Sequence, residues 1–196
     1  MSPLRASGLP RLILASTSRY RRELLQRLGW DFAVETPDIP EVQGEGESPL
    51  AHCRRLARDK ALAVLAREPD AIVIGSDQVL DLDGEAVSKP GDQATALAQL
   101  RRCRGRTLIC HTALCVASAR DIALADVPTE ITYREPPDEE LIAYLAQERP
   151  FDAAGAIKVE TGGIRLLARV SSDDPTALIG LPLIRLCDLL RPYGYR

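Results

Sequence analysis

The segment Ala71-Ile72-Val73-Ile74 is apolar at every position and ends abruptly in Gly75-Ser76-Asp77-Gln78. A strand with one wet face alternates polar and apolar residues, whereas a strand with no polar position has both faces covered. The run therefore predicts a central strand between two layers of other structure. The segments around it supply those layers, because strand-like and helix-like patterns alternate along the chain, and that order indicates an α/β fold.

Arg11 to Ala15 reads as a short strand leading into Ser16-Thr17-Ser18, which caps a helix running to about Leu28 before Gly29. Phe32 to Glu35 reads as a strand and Asp38 to Glu47 as an acidic loop. Ser48-Pro49 then starts a second helix, a Ser cap followed by proline in the first turn. In it Cys53, Leu56, Ala57, Ala61 and Val64 recur at spacings of three and four. Val79 to Ser88 predicts a hairpin turning at Asp83-Gly84. Further on, Asp92 to Arg102 reads as a helix, and Arg106 to Ala117 pairs with Ile122 to Arg134 as antiparallel strands. Asp138 to Gln147 reads as a helix, Ile164 to Val170 as a strand and Leu183 to Leu190 as a closing helix. With no repeat and no long linker, residues 1–196 are expected to form a single domain.

The composition narrows the function classes. Hydrophobic residues make up 45% and charged residues 27%, so the chain can bury a core and stay in solution. The net charge of −3 and an aromatic content of 4% offer neither broad phosphate neutralisation nor a stacking platform for single strands. A nucleic-acid partner is not expected. No apolar run approaches the ~18 residues that span a bilayer, and the N-terminal apolar stretch is too short for a signal-peptide core. The five cysteines are scattered and form no Cys-x-x-Cys pair, which reads as reduced core thiols in a cytoplasmic protein. His52, expected on the polar side of its helix, and His111, within a strand, are too few for a triad or a zinc site and read as structural.

Four segments can carry chemistry. Ala15 to Arg22 brings a strand into hydroxyl residues at a helix N-terminus, where free N–H groups favour an anion, with Arg21 and Arg22 as fork-shaped donors. An ordinary Ser/Thr cap with a solvated arginine face fits the same residues. It is not a P-loop, which needs Gly-x-x-x-x-Gly-Lys-Ser/Thr. Asp77 is placed at the carboxyl end of the most buried strand, where ligands of open α/β sheets collect, and its carboxylate suits a divalent metal or the proton of an attacking water. A capped turn explains it as well. Lys60, and Lys89 in Ser88-Lys89-Pro90, suit a polyanion such as a triphosphate, though each taken alone reads as a surface charge before it reads as a site residue. Ala154 to Glu160, followed by Gly162-Gly163, lets backbone approach a ligand and offers Glu160 as an acceptor.

Taken together and in this order, these motifs resemble the Maf family of nucleoside triphosphate pyrophosphatases from about Leu12 to Arg191. The likeness is carried by Leu-Ala-Ser-Thr-Ser-x-Tyr-Arg-Arg, Arg55-Leu-Ala-Arg-Asp-Lys-Ala61, Gly-Ser-Asp-Gln, Ser-Lys-Pro, Ala-Gly-Ala-Ile-Lys-Val-Glu and Asp174-Pro-Thr-Ala-Leu-Ile-Gly-Leu-Pro-Leu183. The resemblance implies a two-lobed α/β fold of the Maf/ITPase kind around a twisted mixed sheet, with substrate in the cleft. It implies cleavage between the α- and β-phosphates with the help of Mg²⁺ or Mn²⁺, and leaves room for a homodimer. By motif position, Ser16 and Arg21 match the phosphate contacts. Asp77, Lys60 and Lys89 match the catalytic group, and Asp77 with Glu41 the metal-side carboxylates. An ordinary aspartate is a feeble base at neutral pH, so metal-lowered acidity of the water is expected to do most of the activation.

The positions that divide the subfamilies fall on Tyr20, Gln78 and Glu160. An aromatic residue, Gln and Glu resemble the members acting on N7-methyl-GTP, whereas Arg, Thr and Gln mark those acting on dTTP and UTP. A methylated guanine carries positive charge that an aromatic face attracts, and a carboxylate can accept from its N1–H and amino group. Four positions depart from that subfamily's pattern: Tyr20 stands for Trp, Ala156 and Val159 stand for serines, and Pro40 stands where an acid is usual, leaving Glu41 as the metal-side carboxylate. The rival expectations are a pyrimidine or broad-specificity pyrophosphatase of the same fold, and a non-catalytic nucleotide sensor acting in cell division.

Overall fold

The computed structural model describes residues 8–196, so the first seven residues of the expected single domain lie outside the described residues. The strands are β1 (Leu12–Ala15), β2 (Ala33–Glu35), β3 (Ile72–Leu82), β4 (Glu85–Val87), β5 (Thr107–Ala117), β6 (Ile122–Tyr133) and β7 (Leu167–Ser172). The helices are α1 (Arg19–Gln26), α2 (Pro49–Leu65), α3 (Gln93–Cys103), α4 (Asp138–Glu148) and α5 (Leu183–Leu190). The strands form one mixed sheet in the order β2-β1-β3-β5-β6-β7, with β4 also paired to β3. β1 runs parallel to both β2 and β3, and the remaining pairs are antiparallel. Among the described residues no helix is long and apolar enough to cross a membrane.

The apolar run at Ala71 to Ile74 does open the central strand, but that strand does not stop there. β3 continues to Leu82 and pairs with β5 from Val73 to Asp81, so Asp77 sits mid-strand rather than at a carboxyl end. The expected separate hairpin is the second half of β3 turning through Asp83-Gly84 into β4. The apolar residues Val79, Leu80 and Leu82 are compatible with both, because apolar patterning does not mark where one strand becomes the next. The strand expected from Ile164 begins three residues later, since Gly162 to Leu166 winds into a 3-10 turn ahead of β7. His52, expected on the polar side of its helix, is instead buried beside Glu47. The cysteines are free, and four of the five are buried.

One edge of β3 explains the shape. β1 pairs with Ile72 to Gly75 and β4 with Leu80 to Leu82, while β5 occupies the opposite edge throughout. Ser76 to Val79 is thus left without a strand neighbour on the β1–β4 side, and a gap opens there.

Side chains of β3 alternate between two differently covered faces. On one face Val73 and Val79 pack with Ala57, Ala61 and Val64 of α2. On the other, Ile72 and Ile74 join α1 and α5 in one apolar cluster, and Leu80 and Leu82 join α3 and α4 in another. Between those two clusters the same face carries Ser76 and Gln78, with Thr112 opposite Gln78 on β5. This polar break divides the core into two lobes.

Gly75 sets the spacing on the α2 face. A Cβ there would lie 2.2 Å from the Ala57 carbonyl oxygen and 2.8 Å from the Ala61 nitrogen, both backbone atoms of α2. Backbone cannot turn aside as a flexible side chain does, so the whole helix must move. Gly75→Ala is expected to cost about 1–3 kcal/mol, the usual range for overpacking a core, read as a fall in Tm on the order of 5 °C. An unchanged Tm would show that α2 is not seated on Gly75 in this way.

Candidate active site

The gap beside Ser76 to Val79 collects groups from both ends of the two strands that border it. β1 ends at Ala15, so Ser16 and the first turn of α1 enter from one side. β4 ends at Val87, so Ser88 and Lys89 enter from the other. The carboxyl end that matters for Asp77 is therefore that of its parallel neighbour β1, not that of its own strand.

On the α2 face, the Lys60 ammonium donates to Asp77 Oδ1 at 2.7 Å and lies 2.5 Å from Glu41 Oε1. Lys60 and Asp77 are both buried. A buried charge is costly unless paired, and here each pairs with the other. An ammonium has three hydrogens, so with two carboxylates served one direction remains for a further acceptor. Burial raises the Glu41 carboxyl, but the hydrogen bond from Lys60 and the charges of Lys60, Lys89 and Arg21 outweigh it and hold the group below its ordinary value. Lys89 and Arg21 thus lie within electrostatic reach of Glu41, although they come from opposite sides of the gap.

On the other face, the segment Asp174 to Leu181 supplies a row of carbonyl oxygens. Arg21 Nε donates to the Gly180 oxygen at 2.8 Å, and Arg21 Nη1 lies 3.4 Å from Ser16 Oγ. Ser16 Oγ also accepts from the Ser18 N–H. Ser76 Oγ lies 2.9 Å from the same Gly180 oxygen. Gln78 Nε2 donates to the oxygens of Ala177 and Leu178, each at 3.0 Å, and lies 3.2 Å from Thr112 Oγ1. Carbonyls only accept, so the amide nitrogen must face them and the amide oxygen must face away. The carbonyl row is itself fixed by Asp174, whose carboxylate accepts from Thr176 and from the N–H groups of Ile184 and Arg185 in α5. Gly180 adopts φ +110°, which suits glycine and turns the chain so that its oxygen meets both Arg21 and Ser76.

The remaining candidates stand at the rim. Tyr20 is half-buried in the first turn of α1, and the Arg19 guanidinium lies 4.9 Å from its ring centroid, covering one face. Lys89 and Glu160 are exposed, and among the described residues no hydrogen bond or ion pair joins either to a protein group. The backbone leading to Glu160 is held by Tyr144, whose hydroxyl donates to the Ala156 oxygen and accepts from the Lys158 N–H. The structure joins Asp77 and Glu41 through Lys60, and joins Ser16 to Arg21. It sets Gln78 on the opposite face of β3 from Asp77, and among the described residues no hydrogen bond joins Glu160 to Tyr20 or Gln78.

Sequence reasoning assigned no role to Thr112, Ser76, Asp174 or the carbonyls of residues 177–180. Thr112 did carry a signal, since a polar residue inside the apolar run of β5 has to find a partner. The motif Asp174 to Leu183 was visible as a pattern, but its use of backbone oxygens leaves no mark on residue identity.

The chemistry of this site, carboxylates paired to a buried lysine and flanked by cations in a gap of a mixed sheet, suits a strongly anionic ligand. The Maf-like protein family matches residues 11–193. A protein from Cupriavidus pinatubonensis named 7-methyl-GTP pyrophosphatase is 54% identical over 192 residues, covering 97% of this chain and 96% of its own. One of the same name from Cupriavidus metallidurans is 55% identical over 188 residues, covering 95% and 94%. Another from Aromatoleum aromaticum is 50% identical over 186 residues, covering 94% and 96%. With a family match across nearly its whole length and relatives at about half identity, the chain belongs to the Maf family.

Proposed function

We propose that this protein hydrolyses N7-methyl-GTP between its α- and β-phosphates, releasing pyrophosphate and the nucleoside monophosphate. The observation that carries the reading is the Lys60–Asp77–Glu41 contact at the unpaired stretch of β3, flanked by Arg21 and Lys89. Phosphoryl transfer is served by positioning and by charge, and this site is built of both. In the proposed division of labour Ser16, Arg21 and Lys89 hold phosphate oxygens. Lys60 holds Asp77 in place and keeps one hydrogen for a phosphate. Asp77 orients the attacking water and accepts its proton.

Glu41 and Asp77 are the residues that would hold a divalent metal. Each gives one oxygen to Lys60 Nζ, Asp77 Oδ1 and Glu41 Oε1, and among the described residues the second oxygen of each has no hydrogen-bond partner and stays available to an ion. No cluster of three or more candidate ligands exists among the described residues. Two carboxylates completed by substrate phosphates is the usual arrangement for Mg²⁺, so the donor set fits. When bound, the ion would neutralise phosphate charge and lower the pKa of the attacking water.

For the base, Gln78 is a preset acceptor, because its nitrogen is committed to the carbonyls of residues 177 and 178. Guanine presents donors at N1 and at the exocyclic amine, which suit Gln78 Oε1 and the exposed Glu160 carboxylate. Tyr20 offers the ring face not covered by Arg19 to the cationic base. The reading takes residues 1–196 as one domain, supported by a site whose residues run from Ser16 to Glu160. It places the protein in the cytoplasm, supported by five free cysteines.

A substrate panel of N7-methyl-GTP, GTP, dTTP and UTP under matched metal, read by pyrophosphate release, tests the assignment. N7-methyl-GTP is expected to give the highest kcat/KM, and a preference for dTTP or UTP would overturn the choice of base. Asp77→Asn should lower kcat by about 10²–10³-fold with an unchanged circular dichroism spectrum; full activity would remove Asp77 from the chemistry. Chelation with EDTA should abolish turnover and added Mg²⁺ or Mn²⁺ restore it. Undiminished turnover in EDTA would exclude the metal.

A further inference from the structure

Glu41 lies on a loop that has little reason of its own to stay over the site. The segment between β2 and α2 is without regular structure, Val42 beside Glu41 is 78% exposed, and the Glu41 side chain is itself 53% exposed. Pro37 at the start of the segment is buried, but every residue from Pro40 to Gly46 is exposed, so the position of the part that carries Glu41 has to come from polar contacts.

Those contacts converge on Arg55. Its Nε donates to Glu47 Oε1 at 2.7 Å and its Nη2 to Glu47 Oε2 at 2.9 Å, the two-pronged geometry in which guanidinium and carboxylate bind most firmly. The same Nη2 donates to the Val42 oxygen at 2.9 Å, one residue from Glu41. Glu47 closes the loop on itself by accepting from the Gly44 N–H, while Gln43 donates to the Glu47 oxygen. His52 Nδ1 lies 3.0 Å from Glu47 Oε2, and Asp59 Oδ2 lies 3.6 Å from Arg55 Nη1. The Arg55 hydrogen bonds hold the Glu47 carboxyl down at about 2, so it stays ionised across the neutral range.

Arg55 and Lys60 stand on the same helix, five residues apart. One holds the loop's backbone and the other holds the loop's carboxylate. We propose that Arg55, through Glu47 and the Val42 carbonyl, is a positioning residue that sets Glu41 for divalent metal binding. The proposal rests on the reading of Glu41 as a metal-side carboxylate. Arg55 touches neither substrate nor metal in this role; it fixes where a ligand-bearing loop lies, as outer contacts of metal sites do. Lysine at this position keeps the charge but loses the fork, so it can serve Glu47 or Val42 but not both in the same geometry.

A double-mutant cycle tests it, with Mn²⁺ binding to the full chain followed by electron paramagnetic resonance. Arg55→Ala should weaken Mn²⁺ binding about tenfold in the wild-type background and less than about twofold in a Glu41→Gln background, because the residue it positions is then already lost. Arg55→Lys should recover part of the affinity. Thermal unfolding is measured on each variant, and any loss of Tm from Arg55→Ala should be the same in both backgrounds. Equal weakening of Mn²⁺ binding in the two backgrounds would assign Arg55 to the fold alone and overturn the proposal. Unchanged binding in Arg55→Ala, or no Mn²⁺ binding by the wild type, would overturn it as well. Failure of the pyrophosphatase reading is recognised separately, by the absence of pyrophosphate release from every triphosphate, and the Mn²⁺ cycle does not depend on that result.

Discussion

Helix α2 rests on β3 at a distance permitted only by the missing side chain of Gly75. The carbonyl of Ala57 and the nitrogen of Ala61 fill the volume where a Cβ would stand. Because the contact is backbone on backbone, it fixes the separation of helix and strand more rigidly than interlocking side chains would. Lys60 follows Ala57 by three residues and Asp77 follows Gly75 by two, so the contact brings their side chains together. The ion pair at 2.7 Å is thus a consequence of helix packing. Burial then makes the pair necessary, since either charge alone in that position would go uncompensated.

The opposite face of β3 obeys a different rule. There the apolar stripe is broken at Ser76 and Gln78, and the break would be expensive if those groups found no partners. The segment from Asp174 to Leu181 answers it with backbone oxygens, and Asp174 holds that segment by accepting from the first N–H groups of α5. One strand therefore presents a catalytic candidate on one face and a base-reading candidate on the other, separated by a single residue step. The gap between the ends of β1 and β4 leaves the edge of β3 open between the two.

The sequence disclosed the strand and helix order well, because hydrophobic periodicity reports burial directly. Ser48-Pro49 and Asp83-Gly84 were legible for a different reason: cap and turn chemistry is local. What failed was continuity. Nothing in Gly75-Ser76-Asp77-Gln78 says whether a strand ends or runs on, since a partner strand far along the chain decides it. The burial of His52 was missed because its partner Glu47 lies on the preceding loop, outside the helical pattern. Of the site, the charged residues could be read from motif position. The carbonyl row could not, as every residue has a carbonyl and only the fold aims it.

The same distinction separates Lys60 from Lys89, which the sequence treats alike. Lys89 is exposed and makes no ion pair among the described residues, so its side chain can follow a phosphate without breaking a contact. Lys60 is buried, and moving it would strand Asp77 and release Glu41. A residue so committed can offer a ligand only its remaining hydrogen, and it is well suited to hold two carboxylates at a fixed separation. Its charge also lets those carboxylates sit close together without ligand, where their mutual repulsion would otherwise drive the loop of Glu41 outward. Site and fold are coupled at this one ammonium: the group that makes the two carboxylates tolerable to each other is the group that holds the loop of Glu41 against the unpaired stretch of β3.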